Sequence, residues 1–333
     1  MRPILISCHT RPVIAVKFNK DGDLFFTGSF DGKVSVFWSE PVERLGTFAC
    51  DGAVKTMTVT EDSKYIVIGT AINGIFIFEV ETGTKVKTIE FSSKIHVRDV
   101  EFAMGSQQFF MISYESDEKK QSVVYIYDFE SVLNREQPSR RDLVRRDRDH
   151  YYRGVWGYLN KTIVLGTQNG IIDVVDTKTG ELLLSHRAHV NQITSLAFSP
   201  DFSMLITASR DCFAKLLDPE TLKEIRVFNA QRPLNSAVIS PLMLNEGSPK
   251  YHCLVAGGQE ARDVTTTATD QGGFEITFYN MIFEREIGSV RGHFGPVHSV
   301  AVHPRGHMFV TGSEDGTARV HILDQDYFTP AYD

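Results

Sequence analysis

Three groups of residues in the sequence carry the side chains of a hydrolase triad. In each group a histidine precedes a serine by 20 residues, and an aspartate follows two residues after the serine. A serine hydrolase needs one exposed serine beside a histidine base and an oxyanion hole. The same trio repeated three times at fixed spacing favours a structural part, in which the aspartate accepts N–H bonds in a tight turn and the histidine reaches the serine hydroxyl. The groups are His9, Ser29 and Asp31; His189, Ser209 and Asp211; and His293, Ser313 and Asp315.

Two other patterns resemble ligand sites, and neither predicts one. Residues 28–33 are similar to a phosphate-binding loop, but the spacing is one residue short and no serine or threonine follows the lysine. They are predicted to form a hairpin turn. Four histidines that are close in the sequence could act as metal ligands, but strand alternation would place them on different faces and different strands. These are His293, His298, His303 and His307. We therefore expect no enzyme activity, no cofactor and no metal.

A run of arginines between residues 140 and 148 could bind RNA. The run is interrupted by aspartates, and the mixed charge is more typical of a solvated loop. The arginines are Arg140, Arg141, Arg145, Arg146 and Arg148, and the aspartates are Asp142, Asp147 and Asp149. We interpret the segment as an exposed loop that separates two repeats.

The three trios belong to a longer repeated unit. Each unit has a strand of alternating apolar residues, a polar turn, a second strand ending in a small-residue step, and a third strand after the aspartate turn. Weaker copies fill the gaps, so that seven units fit the chain with steps of 41 to 55 residues between anchors. The anchors are Ser29, Thr70, Ser113, Thr167, Ser209, Gly258 and Ser313. Four strands in about 40 to 45 residues are typical of a blade in a WD40 propeller.

The predicted fold is therefore all-β: a single seven-bladed propeller over residues 1–333. The last repeat ends after its third strand, so a short strand in residues 1–6 is expected to complete that sheet and close the ring. The position that usually carries tryptophan in this fold holds Phe37, Phe78, Leu217 and His321, and is polar only in the last of these. The expected blades span residues 7–48, 49–90, 91–135, 150–186, 187–229, 230–290 and 291–328.

Composition and charge exclude several classes of protein. The 333 residues are 42% hydrophobic and 23% charged, as in ordinary globular proteins, and the net charge of -7 disfavours binding to nucleic acid by general attraction. The apolar runs are far shorter than the ~20 residues that cross a bilayer. The N-terminal apolar stretch is also too short for a signal peptide, which predicts a cytosolic protein with four free cysteines.

Several stretches go beyond a generic WD40 repeat, and they lie at residues 1–5, 22–26, 43–47, 232–237, 257–267, 292–297 and 327–328. In the order and spacing of these stretches the chain resembles the i subunits of eukaryotic translation initiation factor 3. The resemblance implies a non-catalytic, cytoplasmic scaffold subunit that is monomeric within a hetero-oligomer. It would hold the b and g subunits during assembly of the preinitiation complex on the small ribosomal subunit, without sequence-specific contact to nucleic acid. The alternative is a cytosolic signalling scaffold similar to the receptor-kinase-associated WD40 proteins.

The resemblance also implies a partner surface. In this family a basic helix of the b subunit with aromatic anchors lies across blades five and six. The acidic residues offered there are Asp211, Asp218, Glu220, Glu224 and Glu260. Nearby lysines and arginines balance them, so apolar contact is expected to carry much of the affinity. Charge reversal at Asp218 and Glu220 is expected to leave the aspartate turns intact.

Overall fold

The computed structural model describes residues 3–71, 74–91, 95–115, 121–147, 149–245, 249–259 and 273–328. Within these ranges the chain forms 28 strands arranged as seven antiparallel four-stranded sheets. β-Branched and aromatic residues fill the strands, and glycines at positive φ such as Gly32 and Gly316 make the turns between them. The expected seven-bladed propeller is confirmed.

Each sheet is one blade, numbered along the chain. Blade 1 comprises Val13–Phe18, Leu24–Ser29, Lys33–Trp38 and Glu43–Ala49. Blade 2 comprises Val54–Val59, Tyr65–Thr70, Ile75–Glu79 and Lys85–Ile89. Blade 3 comprises Ile95–Phe102, Gln108–Glu115, Gln121–Asp128 and Arg140–Asp147. Blade 4 comprises Tyr151–Trp156, Thr162–Thr167, Ile171–Asp176 and Leu182–Arg187.

The remaining blades follow the same order. Blade 5 comprises Ile193–Phe198, Leu205–Ser209, Phe213–Leu217 and Glu224–Asn229. Blade 6 comprises Leu234–Ile239, His252–Gly257, Ile276–Asn280 and Glu286–Val290. Blade 7 comprises Val297–Val302, Met308–Ser313, Ala318–Ile322 and Ile4–Ile6. The described helical segments are Phe129–Asn134, Tyr158–Asn160, Pro241–Leu244 and Gln325–Phe328.

The N-terminal strand closes the ring, as the sequence predicts. Ile4–Ile6 runs antiparallel to the third strand of blade 7, with Ile4 opposite Val320 and Ile6 opposite Ala318. Ile6 is buried in the core between blades 7 and 1. The strand therefore covers the edge that the last repeat would otherwise leave unpaired.

The glycine near the end of the second strand in blades 1, 2, 4 and 7 has a packing reason. A Cβ added at Gly28 would lie 2.9 Å from a methyl group of Val54 in the next blade, and one at Gly312 would lie 2.7 Å from Val13. Gly69 and Gly166 face the neighbouring blade in the same way. These glycines let the first strand of each following blade pack close to the preceding sheet.

Blade 3 differs from the expectation. Its fourth strand is Arg140–Asp147, so the arginine segment is not an exposed loop, and the blade extends beyond residue 135. Leu143 of this strand is buried in the core that blades 3 and 4 share. The connection to it contains the helix Phe129–Asn134, which Asp128 caps and which the periodicity does not reveal. An outermost strand meets solvent along one edge, so polar residues are tolerated there.

The first strands of all seven blades surround a central channel. Each first strand shifts register by one residue near its start, which leaves one residue outside the ladder and aims it at the channel mouth. The bulged residues are Ile14, Lys55, Arg98, Tyr152, Thr194, Asn235 and His298. In the described part of the chain, no helix has the length and apolar character needed to span a membrane.

Candidate functional site

Each predicted trio lies at the turn between the second and third strands of its blade. His9 Nδ1 is 3.1 Å from Asp31 Oδ2, and the equivalent distances are 2.9 Å for His189 and Asp211 and 3.0 Å for His293 and Asp315. Each aspartate also accepts two backbone N–H bonds, one from the residue after the histidine and one from the following strand. The carboxylate thus joins the loop between blades to the turn within the blade.

The expected contact between histidine and serine is wrong. His9 Nε2 contacts the hydroxyl of Thr27 at 2.9 Å, and Thr207 and Thr311 take the same place in blades 5 and 7 at 2.7 and 2.8 Å. Residues two apart on a strand share a face, so the spacing alone does not distinguish the threonine from the serine.

The serines form hydrogen bonds with the backbone and not with the histidines. Ser29 donates to the carbonyl of Arg11 at 2.9 Å and accepts from the backbone N–H of Asp31 at 3.1 Å. Ser209 and Ser313 repeat this pattern in their own blades. All three serines are fully buried. A buried hydroxyl held by the backbone on both sides fixes a turn and does not present a nucleophile to a substrate.

Burial and hydrogen bonding set the charge of these groups. Burial alone would raise the pKa of Asp315, but donors from Thr317, Phe294 and His293 hold it at about 2. The pKa values of Asp31 and Asp211 are lowered for the same reason, against the effect of burial. Burial lowers the pKa of His293, which keeps its ring neutral at pH 7. In blade 7 an ionised carboxylate therefore accepts a hydrogen bond from a neutral imidazole, which is compatible with a structural network.

The other histidines of the predicted group do not form a single cluster. His298 Nε2 contacts Glu314 at 2.6 Å, and His307 Nε2 contacts Glu40 at 2.6 Å. The rings of His303 and His307 do lie together, with centroids 4.2 Å apart, although alternation predicts separate faces. Among the described residues, no three histidine, cysteine, aspartate or glutamate side chains are arranged to hold a metal. The cysteines Cys8, Cys50, Cys212 and Cys253 are free thiols.

The arginines of blade 3 bind within the protein. Arg141 donates to the carbonyls of Thr177 and Lys178 in blade 4. Arg146 forms an ion pair with Asp173, which the hydroxyl of Tyr151 also contacts at 2.9 Å. These bonds tie the outer strand of blade 3 to blade 4, and they occupy two of the guanidinium groups that an RNA site would need.

The candidate partner acids lie at two different ends of blade 5. Asp211 belongs to the buried turn network, whereas Asp218 and Glu220 lie in the turn before the fourth strand. Glu224 begins that strand and forms an ion pair with Lys215. Glu260 lies outside the described residues. The structure therefore brings together Asp218, Glu220 and Glu224 and separates Asp211 from them.

Asp218 also has a role inside its own turn, which the sequence-based expectation missed. Its carboxylate accepts from the N–H of Glu220 at 2.9 Å and from the hydroxyl of Thr221 at 2.9 Å. These bonds lower the pKa of Asp218. Charge reversal at Asp218 would remove both acceptors and so disturb this turn, which is separate from the aspartate turn around Asp211.

Exposed apolar side chains lie on the outer strand of blade 5 and in the adjoining part of blade 6, and together with two of these acids they form a surface that we name the 5–6 rim. Phe283 is 66% exposed in the turn before the fourth strand of blade 6, and Arg226 Nε of blade 5 lies 3.2 Å from Glu284 in that turn. This ion pair places the outer strand of blade 5 next to the turn of blade 6. The 5–6 rim consists of Asp218, Glu220, Ile225, Ile282, Phe283 and Ile287.

A ring of seven four-stranded sheets that is closed by its N-terminal strand and carries these turn networks defines a WD40 β-propeller. The β-propeller domain of Cps50 (Swd1) from Myceliophteria thermophila has the same fold, with a TM-score of 0.76 over 96% of this chain and 98% of that one. Only 14% of the aligned residues are identical, so this likeness concerns the fold alone.

The family is shown by the sequence. The EIF3I family model matches residues 1–333. Eukaryotic translation initiation factor 3 subunit I of Xenopus tropicalis is 37% identical over 329 residues, which cover 98% of each chain. The subunit I of Emericella nidulans is 38% identical over 339 residues, which cover 100% of this chain and 98% of the relative. The chain belongs to the EIF3I family.

Proposed function

We propose that this protein is a non-catalytic scaffold subunit of translation initiation factor 3 in the cytoplasm. Family membership supports a role in translation initiation. In this role the propeller holds the b and g subunits while the preinitiation complex assembles on the small ribosomal subunit. It acts as a single copy within the hetero-oligomer.

The observation that carries the proposal is the 5–6 rim. Phe283, Ile282 and Ile287 are each about half or more exposed, although the same residue types fill the core elsewhere. Neighbouring apolar side chains at the edge of a stable fold are typical of a protein-binding surface. Asp218 and Glu220 border them, so the surface suits a helix that is apolar on one side and basic on the other. This is the kind of helix expected from the b subunit.

Two substitutions separate the apolar and charged parts of this surface. Phe283→Ser should weaken binding of the b-subunit tail at least tenfold, because aromatic anchors usually dominate such interfaces. Glu220→Lys should weaken binding less at physiological salt, with the largest effect at low ionic strength. Val86→Ser is the matched control, because Val86 is 41% exposed on the outer strand of blade 2. Titration calorimetry with the purified tail gives each affinity.

The outcome also distinguishes this proposal from the signalling scaffold. Purification of the protein from native extract, followed by mass spectrometry, should recover other subunits of initiation factor 3. Recovery of kinases instead would favour the signalling role. Wild-type binding of the b tail by both Phe283→Ser and Glu220→Lys would place the interface on another face of the ring.

A further inference from the structure

A cavity of about 330 Å³ lies at the mouth of the central channel. It is at the end of the ring where the aspartate turns lie, since its wall includes Phe30, Arg210 and Glu314 from those turns. The bulged residue of every first strand completes the wall. All seven blades therefore shape this cavity, and its chemistry depends on residues far apart in the sequence.

Positive charge is concentrated in the cavity wall. Lys55, Arg98, Arg153 and Arg210 line it, against the single carboxylate of Glu314. That carboxylate is engaged by His298 at 2.6 Å. The chain as a whole has a net charge of -7, so this excess of cations is local.

Two of these cations have no carboxylate partner. Arg153 lies 3.4 Å from Asp99, but Lys55 and Arg98 form no ion pair with any residue that the structure describes. The Nε atom of Arg98 is buried and has no hydrogen-bond partner among those residues. Such groups are costly unless a ligand satisfies them.

Aromatic rings hold the cations close to one another. The guanidinium carbons of Arg98 and Arg153 both lie 5.6 Å from the ring centre of Tyr152, and Lys55 Nζ lies 4.1 Å from that of Phe30. Burial, together with the repulsion of Arg98 and Arg153, lowers the pKa of Lys55. Burial alone would raise the pKa of Tyr152, but the three cations lower it. The lowered pKa of Tyr152 reports a positive potential that a bound anion would relieve.

The surroundings limit what anion can bind. Deeper in the channel the carboxylates of Asp99 and Glu101 are paired with Arg153 and Lys17, at 3.4 and 3.8 Å, so the cations there are already engaged. Ile14, Phe30 and Pro296 form an apolar part of the cavity wall. The cations are grouped at this one mouth, so they suit a single phosphoryl group better than the successive phosphates of RNA. An anionic group with an apolar neighbour suits a peptide better than a free ion.

We propose that the channel mouth binds a phosphorylated side chain of a partner protein. Lys55, Arg98 and Arg210 contact the phosphoryl oxygens, and an apolar side chain next to the phosphorylated residue packs on Ile14 and Pro296. Guanidinium groups match the geometry of phosphoryl oxygens and are the usual means of recognising phosphorylated peptides. This site lies at the channel mouth rather than on the 5–6 rim, and it does not depend on the b or g subunit.

The test uses the full chain and position-scanning peptide libraries centred on phosphoserine or phosphothreonine, with unphosphorylated libraries beside them. Fluorescence anisotropy should show at least tenfold tighter binding of the best phosphorylated pools. Arg98→Gln and Lys55→Gln should each reduce that affinity severalfold, and the double variant at least tenfold. Lys161→Gln is the control, because it removes an exposed lysine from the turn between the first two strands of blade 4. Arg98→Lys keeps the charge and should lie between wild type and Arg98→Gln.

Thermal melts of each variant show whether it folds, and Arg98→Lys supplies a second measurement if Arg98→Gln does not. Equal binding of phosphorylated and unphosphorylated pools would overturn the proposal, as would wild-type affinity in the double variant. Inorganic phosphate that binds as tightly as the best peptide would show a small-anion site instead. A ten-nucleotide oligouridine that binds more tightly than any peptide, and loses affinity in the double variant, would show an RNA site.

Discussion

The substitution His321→Phe measures how much stability blade 7 loses by burying an imidazole. Blade 1 has the apolar ring of Phe37 at the same position. His321 is 1% exposed and stacks on Phe309, with centroids 4.5 Å apart and planes 9° apart. Phe37 stacks on Phe25 in the same way in blade 1, at 4.9 Å and 7°. Phenylalanine therefore suits the site. Neither ring nitrogen of His321 has a hydrogen-bond partner in the described part of the protein.

The size of the effect follows from protonation. Burial lowers the pKa of His321 to about 3, with further lowering by nearby His293 and Arg319. In the unfolded chain the value is about 6.5. As the pH falls below 6.5, the unfolded state gains a proton that the folded state excludes, so stability decreases. At pH 5 this favours the unfolded state by about 2 kcal/mol, against a few tenths at pH 7. Removing two unsatisfied nitrogens should also stabilise the variant by about 1 to 3 kcal/mol at pH 7.

Urea unfolding at pH 7 and at pH 5 tests this reasoning. Between pH 7 and pH 5 the free energy of unfolding should decrease in both proteins. The decrease should be about 2 kcal/mol smaller in His321→Phe than in the wild type. His186→Gln is the control, because its exposed side chain meets water in both states. It should retain the wild-type dependence on pH. If His321→Phe also retained that dependence, the ring would be charged in the folded protein and the argument from burial would fail.

Two further predictions concern the turn networks and the closure of the ring. Asp315→Ala and Thr311→Val should each lower the free energy of unfolding by roughly 1 to 3 kcal/mol, because each leaves one nitrogen of the buried His293 ring without a partner; urea denaturation giving values near zero would contradict this role. Removal of residues 1–7 should lower the melting temperature by roughly 3 °C or more, since it uncovers the edge of blade 7 and deletes buried Ile6. A thermal melt identical to that of the full chain would show that the ring does not need this strand.

The repeat spacing was sufficient to predict the ring, because each blade marks its own turn with local residues. The closing strand followed from counting, since the last repeat ends one strand short. Arg140–Asp147 could not be recognised in this way. An outermost strand buries few side chains, and Leu143 alone does not distinguish it from a polar loop. Its partners in blade 4, such as Asp173, are visible only once the blades are placed side by side.

The candidate sites could also be predicted only in part from the sequence. Thr27 was present in the repeated step, but spacing could not show which of two hydroxyls on one face meets the histidine. Phe283 and Ile287 have the residue types of a core strand, so their exposure depends on where the turn of blade 6 faces. The channel mouth could not be predicted from the sequence at all. Lys55 and Arg210 are unremarkable in sequence and become neighbours only because the ring closes.

The pairing of Ile4–Ile6 with Ala318–Ile322 also sets the order of events during synthesis. The two partners are more than 300 residues apart in the sequence, and the ribosome adds roughly 5 to 20 residues per second. Blade 7 is therefore synthesised tens of seconds after blade 1. During that time Val13, Val16 and Phe18 lack the blade 7 residues that cover them in the finished ring. The nascent protein thus carries an apolar surface whose lifetime is set by the speed of translation.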